Sequence, residues 1–137
     1  MHDAGDDHRE HSGISVYECG LNLKTDADGL AVSTPSRFIG QLMEPLLDGC
    51  CTLEDGTMYH HLLDMYETEN LEVEPSAAAG CGVPKLLIES SAGRKYLSEQ
   101  NLAAYLPEST HIIWTTGGSF VPPEQHREFR RIAEKTV

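Results

Sequence analysis

The stretch "IIWTTGGSFVPPEQ", residues 112–125, decides the fold. Its apolar beginning ends at two threonines and two glycines, and two prolines then introduce a polar helical pattern. This order predicts an apolar strand followed by a loop and a helix. Because ligands in α/β sheets collect where strands give way to loops, the same stretch predicts a binding edge.

The rest of the chain also alternates between strand and helix patterns. Strands are predicted at residues 14–18, 50–53, 71–74 and 110–116. Helices are predicted at residues 34–49, 57–70, 75–90, 98–106 and 122–135. These elements predict an α/β fold with a mostly parallel sheet flanked by helices. No repeat or linker divides the chain, so residues 14–137 are expected to form one domain or part of one.

Several residues predict where the helices begin and end. Thr34 is the expected N-cap of the first helix, Pro35 its first residue and Pro45 the point where it kinks or ends. Asp55 is expected to open the second helix, and Pro84 to break the third.

Length and charge limit the function. Ten basic residues against twenty-two acidic ones give a formal net charge of −12, which repels nucleic acid and anionic membranes. No apolar run approaches the roughly twenty residues that span a bilayer, and the N-terminus is too polar for a signal peptide. A cytoplasmic location is therefore expected. Residues 1–13 are predicted to be a flexible acidic, histidine-bearing segment.

The cysteines and histidines favour structural or surface positions. The spacing of the four cysteines fits no familiar disulfide or zinc framework, so they are expected to be reduced core residues: Cys19, Cys50, Cys51 and Cys81. Five histidines lack the spacing of metal ligands and are expected to be solvated: His2, His8, His11, His60 and His61. A metal-binding protein that uses the terminal histidines and cysteines is the weakest functional alternative.

Three stretches lie where chemistry is expected, and each has a structural alternative. A hydroxyl at Thr116 can reach a ligand, while glycines at 117 and 118 allow its close approach or simply form a turn. Glu74 and Ser76 begin a helix and could be no more than capping residues. Asp28 and Gly29 could be an ordinary Asp-Gly turn.

Taken together, the three stretches resemble a known family. "TDADGLAV", "VEPSAAAG" and "WTTGG" are similar in order and spacing to the carboxyl-terminal third of fold-type II pyridoxal-phosphate enzymes. The narrower motifs "MEPLLDG", "TLEDGTMY" and "WTTGGSFVPPE" resemble the D-serine dehydratase (D-serine ammonia-lyase) family over residues 14–135. The resemblance implies the carboxyl-terminal part of the large, tryptophan-synthase-β-like domain.

The resemblance also implies a role for each residue. Thr116 would be the hydroxyl partner of the pyridine nitrogen of pyridoxal 5′-phosphate, with Gly117 and Gly118 along the same edge. The cofactor wall would include Glu74, Ser76 and Asp28, and the backbone of Gly29 would border a monovalent-cation (K⁺ or Na⁺) site.

The family's Schiff-base lysine and glycine-rich phosphate loop have no counterpart in the sequence, and no catalytic residue is assigned. We therefore expect a carboxyl-terminal fragment of a carbon–nitrogen lyase that converts D-serine, a small amino-acid substrate, to pyruvate and ammonia. Alone it should be inactive, because it needs the amino-terminal part of the enzyme. The alternative is a non-catalytic interaction module that keeps the pyridoxal-phosphate fold.

Overall fold

The computed structural model describes residues 13–136. The segment predicted to be flexible, residues 1–13, lies outside the described residues except for Gly13. The chain divides into two compact units, Met1–Cys51 and Thr52–Val137.

The first unit contains turns and short helices. A 3₁₀-helix spans Asp28–Leu30, and helix α1 spans Arg37–Met43. Residues 16–20 form turns, so the strand predicted at 14–18 is wrong. The backbone N–H groups of the turn are satisfied locally; that of Leu21, for example, donates to the Val16 carbonyl at 3.0 Å.

The predicted start of α1 is wrong by two residues, whereas its early end is confirmed. Ser36 is the N-cap, and its hydroxyl accepts a hydrogen bond from the Ile39 N–H at 3.4 Å. Both Thr34 and Pro35 therefore precede the helix. The helix ends at Met43, two residues before Pro45, because a proline cannot continue the hydrogen-bonding pattern.

The second unit is helical. Its α-helices are α2 (Asp55–Glu69), α3 (Pro75–Ala78), α4 (Val83–Glu89), α5 (Ser91–Glu99) and α6 (Pro123–Thr136). Further 3₁₀-helices span Ala79–Gly82 and Ala103–Glu108. The predicted helices at 57–70 and 122–135 are confirmed as α2 and α6. The break expected at Pro84 is confirmed too, since α4 begins one residue before it.

The helix predicted at residues 98–106 is wrong. Helix α5 begins at Ser91, because the Ser90 hydroxyl accepts a hydrogen bond from the Gly93 N–H at 2.9 Å. It ends at Glu99, and Asn101 then adopts a left-handed φ of 57° that no α-helix continues.

No strand forms within residues 13–136, so the predicted mostly parallel sheet is not confirmed. The segments predicted as strands at 71–74 and 110–116 contain no helix, and the one at 50–53 belongs to the segment that precedes α2. A β-ladder requires paired neighbours for the N–H and C=O groups of every strand. The β-type side-chain pattern alone does not supply them.

The core of the second unit lies beside α2 and α6. Its buried members are small or medium-sized side chains: Leu62, Val73, Ala77 and Ala78. The partly buried Met65 and Phe129 pack against them. Helices α2 and α6 run antiparallel, since Gly56 lies near Thr136 while Tyr66 lies beneath Arg130. The segment with Val73, which follows α2, and the segment that precedes α6 both lie next to this helix pair.

The prediction that the cysteines are core residues is wrong for three of them. Cys19, Cys50 and Cys51 are exposed because they lie in turns or in the segment between the units. Cys81 is half-buried, and its thiol lies 3.6 Å from the Met65 sulfur. Burial, and then the negative charge of Asp64, raise the pKa of the Cys81 thiol.

The longest helix of residues 13–136 is α2, with fifteen residues. Within this range no helix combines the length and apolarity needed to cross a bilayer.

Candidate cofactor-binding edge

Two non-helical segments meet in the second unit, residues 71–74 and residues 116–118. The Glu74 N–H donates to the Gly117 carbonyl at 3.4 Å. At Gly118, a Cβ atom would lie 2.6 Å from the Glu72 carbonyl oxygen and 2.8 Å from the Val73 Cα. The two motifs that sequence analysis assigned to one cofactor edge are therefore in direct contact.

Both glycines have a packing role in this contact. Gly118 has a φ of +136°, a conformation that only glycine adopts without strain, and its α-carbon lies against the backbone of residues 72–73. Gly117 lies against the carboxylate of Glu74, which occupies the space where a Cβ atom would be. The atoms that come close to the two glycines belong to residues 72–74 of the same chain rather than to a ligand. A cofactor contact of either glycine stays a prediction.

Thr116 is exposed immediately before this contact. The preceding residues 111–115 are exposed as well, and Trp114 keeps 86 % of its surface accessible. The hydroxyl is thus presented to the surroundings, while the following two residues are fixed by packing. Its role at a ring nitrogen stays a prediction.

Helix α6 holds both segments, a feature that sequence analysis did not reveal. The His126 ring lies 3.0 Å from the Gly118 carbonyl oxygen through its Nε2 atom, and only 5 % of the residue is exposed. One turn later, Arg130 pairs with the Glu72 carboxylate. Its guanidinium lies 4.1 Å from the centre of the Tyr66 ring, a cation–π contact.

The pairing with Arg130 changes the acidity of Glu72. A hydrogen bond from the guanidinium is the main cause that lowers the pKa of this carboxyl, and the positive charges of α6 lower it further. Glu72 is exposed, so solvent screens the pair and its contribution to stability is small.

The proposed capping explanation of Glu74 and Ser76 is wrong. Glu74 occupies the N-cap position of α3, but its side chain accepts no capping hydrogen bond and lies against Gly117 instead. The Ser76 hydroxyl oxygen is buried and has no hydrogen-bond partner among the described residues. An unpaired buried hydroxyl costs free energy, so this oxygen is available to a partner from outside the described residues.

Asp28 and Gly29 belong to the first unit, whereas the residues of the edge belong to the second. Both are exposed in the 3₁₀-helix Asp28–Leu30, where the Asp28 carbonyl accepts the Ala31 N–H at 3.1 Å. This is the geometry of the turn that was considered as the alternative. Their cofactor and cation roles stay predictions.

Neither a metal centre nor a buried lysine is present in the described part of the chain. No three histidine, cysteine or acidic side chains of residues 13–136 come together as ligands. All four lysines lie in this range and are exposed: Lys24, Lys85, Lys95 and Lys135. Two of them face acidic side chains one helical turn away, Glu89 and Glu99.

Comparison with curated proteins identifies the relatives of this chain. It is 47 % identical over 115 residues to the "Probable D-serine dehydratase" of Paracidovorax citrulli and 47 % over 121 residues to that of Burkholderia lata. The protein of the same name from Geobacillus kaustophilus is 44 % identical over 131 residues. No protein-family model matches the chain.

Identities of this size over 84–93 % of the chain establish homology to a group of dehydratases. The group is that of the D-serine dehydratases, as the resemblance of the motifs predicted. The chain spans 26–30 % of the length of these relatives.

Substitution of the two glycines by alanine should give different results. Gly118→Ala places a methyl group on the backbone of residues 72–73 at a strained φ, which should cost about 1–3 kcal/mol or more. Gly117→Ala meets only the end of the flexible Glu74 side chain, which can rotate away, so the cost should stay below about 1 kcal/mol. Urea unfolding measures both, and equal costs would contradict the contact.

The Arg130–Glu72 pair predicts that the free energy of unfolding depends on pH in the acidic range. The folded-state pKa of Glu72 lies below its ordinary value of about 4.3, so the pair stabilises the fold above that value. The stabilisation is lost as pH falls through the folded-state pKa. Urea unfolding at neutral and acidic pH should therefore show a flatter pH profile in Glu72→Gln and in Arg130→Met. The pH profile of the double variant should match those of the two single variants. Additive effects on the pH profile would refute the pairing.

Proposed function

We propose that this chain forms one wall of a pyridoxal 5′-phosphate site in a D-serine ammonia-lyase, which converts D-serine to pyruvate and ammonia. The contact between segments 71–74 and 116–118 carries the proposal. It joins the two motifs that the resemblance assigns to the cofactor edge, in a homologue of proteins named D-serine dehydratase.

The residues present fit one edge of the cofactor. A hydroxyl at Thr116 is exposed beside a rigid backbone, and the buried Ser76 hydroxyl lacks a partner in the described chain. All four lysines of the described chain are exposed, so none has the desolvated surroundings of an amine that binds such a cofactor covalently. The remaining walls must therefore come from other residues, which in the relatives fall within the other 70–74 % of the length.

Each residue of the edge has a distinct role in the proposal. When bound, the cofactor withdraws electrons from the substrate's α-carbon, so that the α-proton and the β-hydroxyl can be lost. Thr116 donates a hydrogen bond to the ring nitrogen and, as a neutral group, does not hold that nitrogen protonated. Glu74 and Gly117 form the contact next to Thr116 in the chain, and Ser76 would lie at the cofactor wall.

The finer features of the proposal rest on the resemblance alone. Asp28 would border the cofactor, and the Gly29 backbone would contact a K⁺ or Na⁺ ion. The enzyme would act in the cytoplasm on a free amino acid.

A second function is an interaction module without catalysis. Three large apolar side chains beside the edge are exposed to 86 % or more: Ile112, Trp114 and Phe120. Such a surface is typical of protein that is covered by another polypeptide. The two functions differ in whether the complex of this chain with the polypeptide that covers the surface converts D-serine to pyruvate.

A graft tests the enzymatic function. Residues 14–135 replace the matching residues of the Geobacillus kaustophilus relative, and pyruvate formed from D-serine is measured. The graft should be active, and the 137-residue chain alone should form no pyruvate. Within the graft, Thr116→Val should lower kcat/KM about tenfold, the effect of one lost hydrogen bond.

Thr115→Val is the matched control, since it removes the adjacent exposed hydroxyl and should leave kcat/KM nearly unchanged. Equal effects of the two valines would refute the role of Thr116. An inactive graft that still folds would favour the interaction module.

A further inference from the structure

His126 is a buried polar side chain to which neither the sequence pattern nor the proposed chemistry gives a role. It lies in the first turn of α6, and its Nε2 atom is 3.0 Å from the Gly118 carbonyl oxygen. A carbonyl oxygen only accepts hydrogen bonds, so Nε2 carries the proton and donates it. The same oxygen also accepts the Val121 N–H at 3.0 Å. Two donors thus fix the orientation of the peptide unit that follows Gly118.

Packing fixes the imidazole itself. The His126 ring meets the Phe129 ring edge to face, with 6.2 Å between centroids and an angle of 83° between planes. Phe129 packs against the core cluster and lies 6.4 Å from the Tyr59 ring. The imidazole that donates the hydrogen bond is therefore held in place by an aromatic contact.

The residues His126, Phe129 and Arg130 share one face of α6, because positions i, i+3 and i+4 of a helix are neighbours. We call them the α6 contact face. Its first member binds the Gly118 carbonyl, its second packs on the core, and its third pairs with Glu72. One helix face thus holds both segments of the candidate edge.

From this arrangement we infer that His126 is a positioning residue for the Thr116 hydroxyl, an inference that rests on the proposed function. Thr116 is exposed and lies two residues before Gly118. Gly117 and Gly118 follow it directly, and the Gly118 carbonyl accepts the hydrogen bond of His126. Without the imidazole donor, the Gly118 carbonyl keeps only the Val121 N–H, so the peptide unit is held less firmly and the position of Thr116 is less well defined.

The first test uses the 137-residue chain and does not involve a cofactor. Nitrogen-15 chemical shifts of the wild-type imidazole should show the proton on Nε2; an unprotonated Nε2 would overturn the inference. His126→Phe keeps an aromatic ring but removes the donor, and should shift or broaden the amide signals of Thr116, Gly117 and Gly118. His126→Gln restores a donor and should return these signals towards their wild-type positions.

His60→Phe is the matched control, because His60 is exposed on α2 and its ring faces Asp64. It should leave the three amide signals unchanged. If His126→Phe does not fold, the imidazole shifts of the wild type and the spectrum of His126→Gln still decide the question. Unchanged Thr116 signals in a folded His126→Phe variant would refute the inference.

The second test separates this inference from the proposed function. In the active graft, His126→Phe should raise the dissociation constant for pyridoxal phosphate about tenfold, and His126→Gln should recover most of the loss. If Thr116→Val impairs the graft but His126→Phe does not, the positioning role is wrong and the function stands. If the amide signals respond as expected but the folded graft forms no pyruvate, the proposed function is wrong and the structural role of His126 stands.

Discussion

The packing of α6 against α2 is the constraint on which the candidate edge depends. Ala133 and Leu62 are buried at this interface, and Phe129 lies on the core cluster. Neither non-helical segment has a sheet to hold it, and only one backbone hydrogen bond between them is found in the described chain, from Glu74 to Gly117. His126 and Arg130 of α6 add one side-chain contact to each segment, at Gly118 and at Glu72.

Helices of this chain were predictable where apolar residues recur at helical spacing or where prolines mark the start of a helix. The apolar period of α2 and the prolines before α6 fix these helices locally, whatever surrounds them. Strands were not predictable, because a ladder depends on partners elsewhere in sequence. The start of α5 was missed since Ser90 lies in a polar run, where a capping serine resembles any loop residue.

The candidate site was predictable only in part, for a related reason. The motifs around Glu74 and Thr116 were recognisable by resemblance, and the contact between their segments agrees with it. His126 was not recognisable, because a histidine among the charged residues of α6 has the pattern of a solvated face. Its burial follows from the Phe129 contact and from the turn at Gly118, which exist only in three dimensions.

The central claim is that residues 71–74 and 116–118 lie together in this chain. Nuclear Overhauser contacts between the α-protons of Gly118 and the α-proton of Val73 measure this directly in the 137-residue protein. A strong cross-peak is predicted, since a Cβ on Gly118 would lie only 2.8 Å from the Val73 Cα. A well-resolved spectrum in which Gly118 contacts only its neighbours in sequence would contradict the claim.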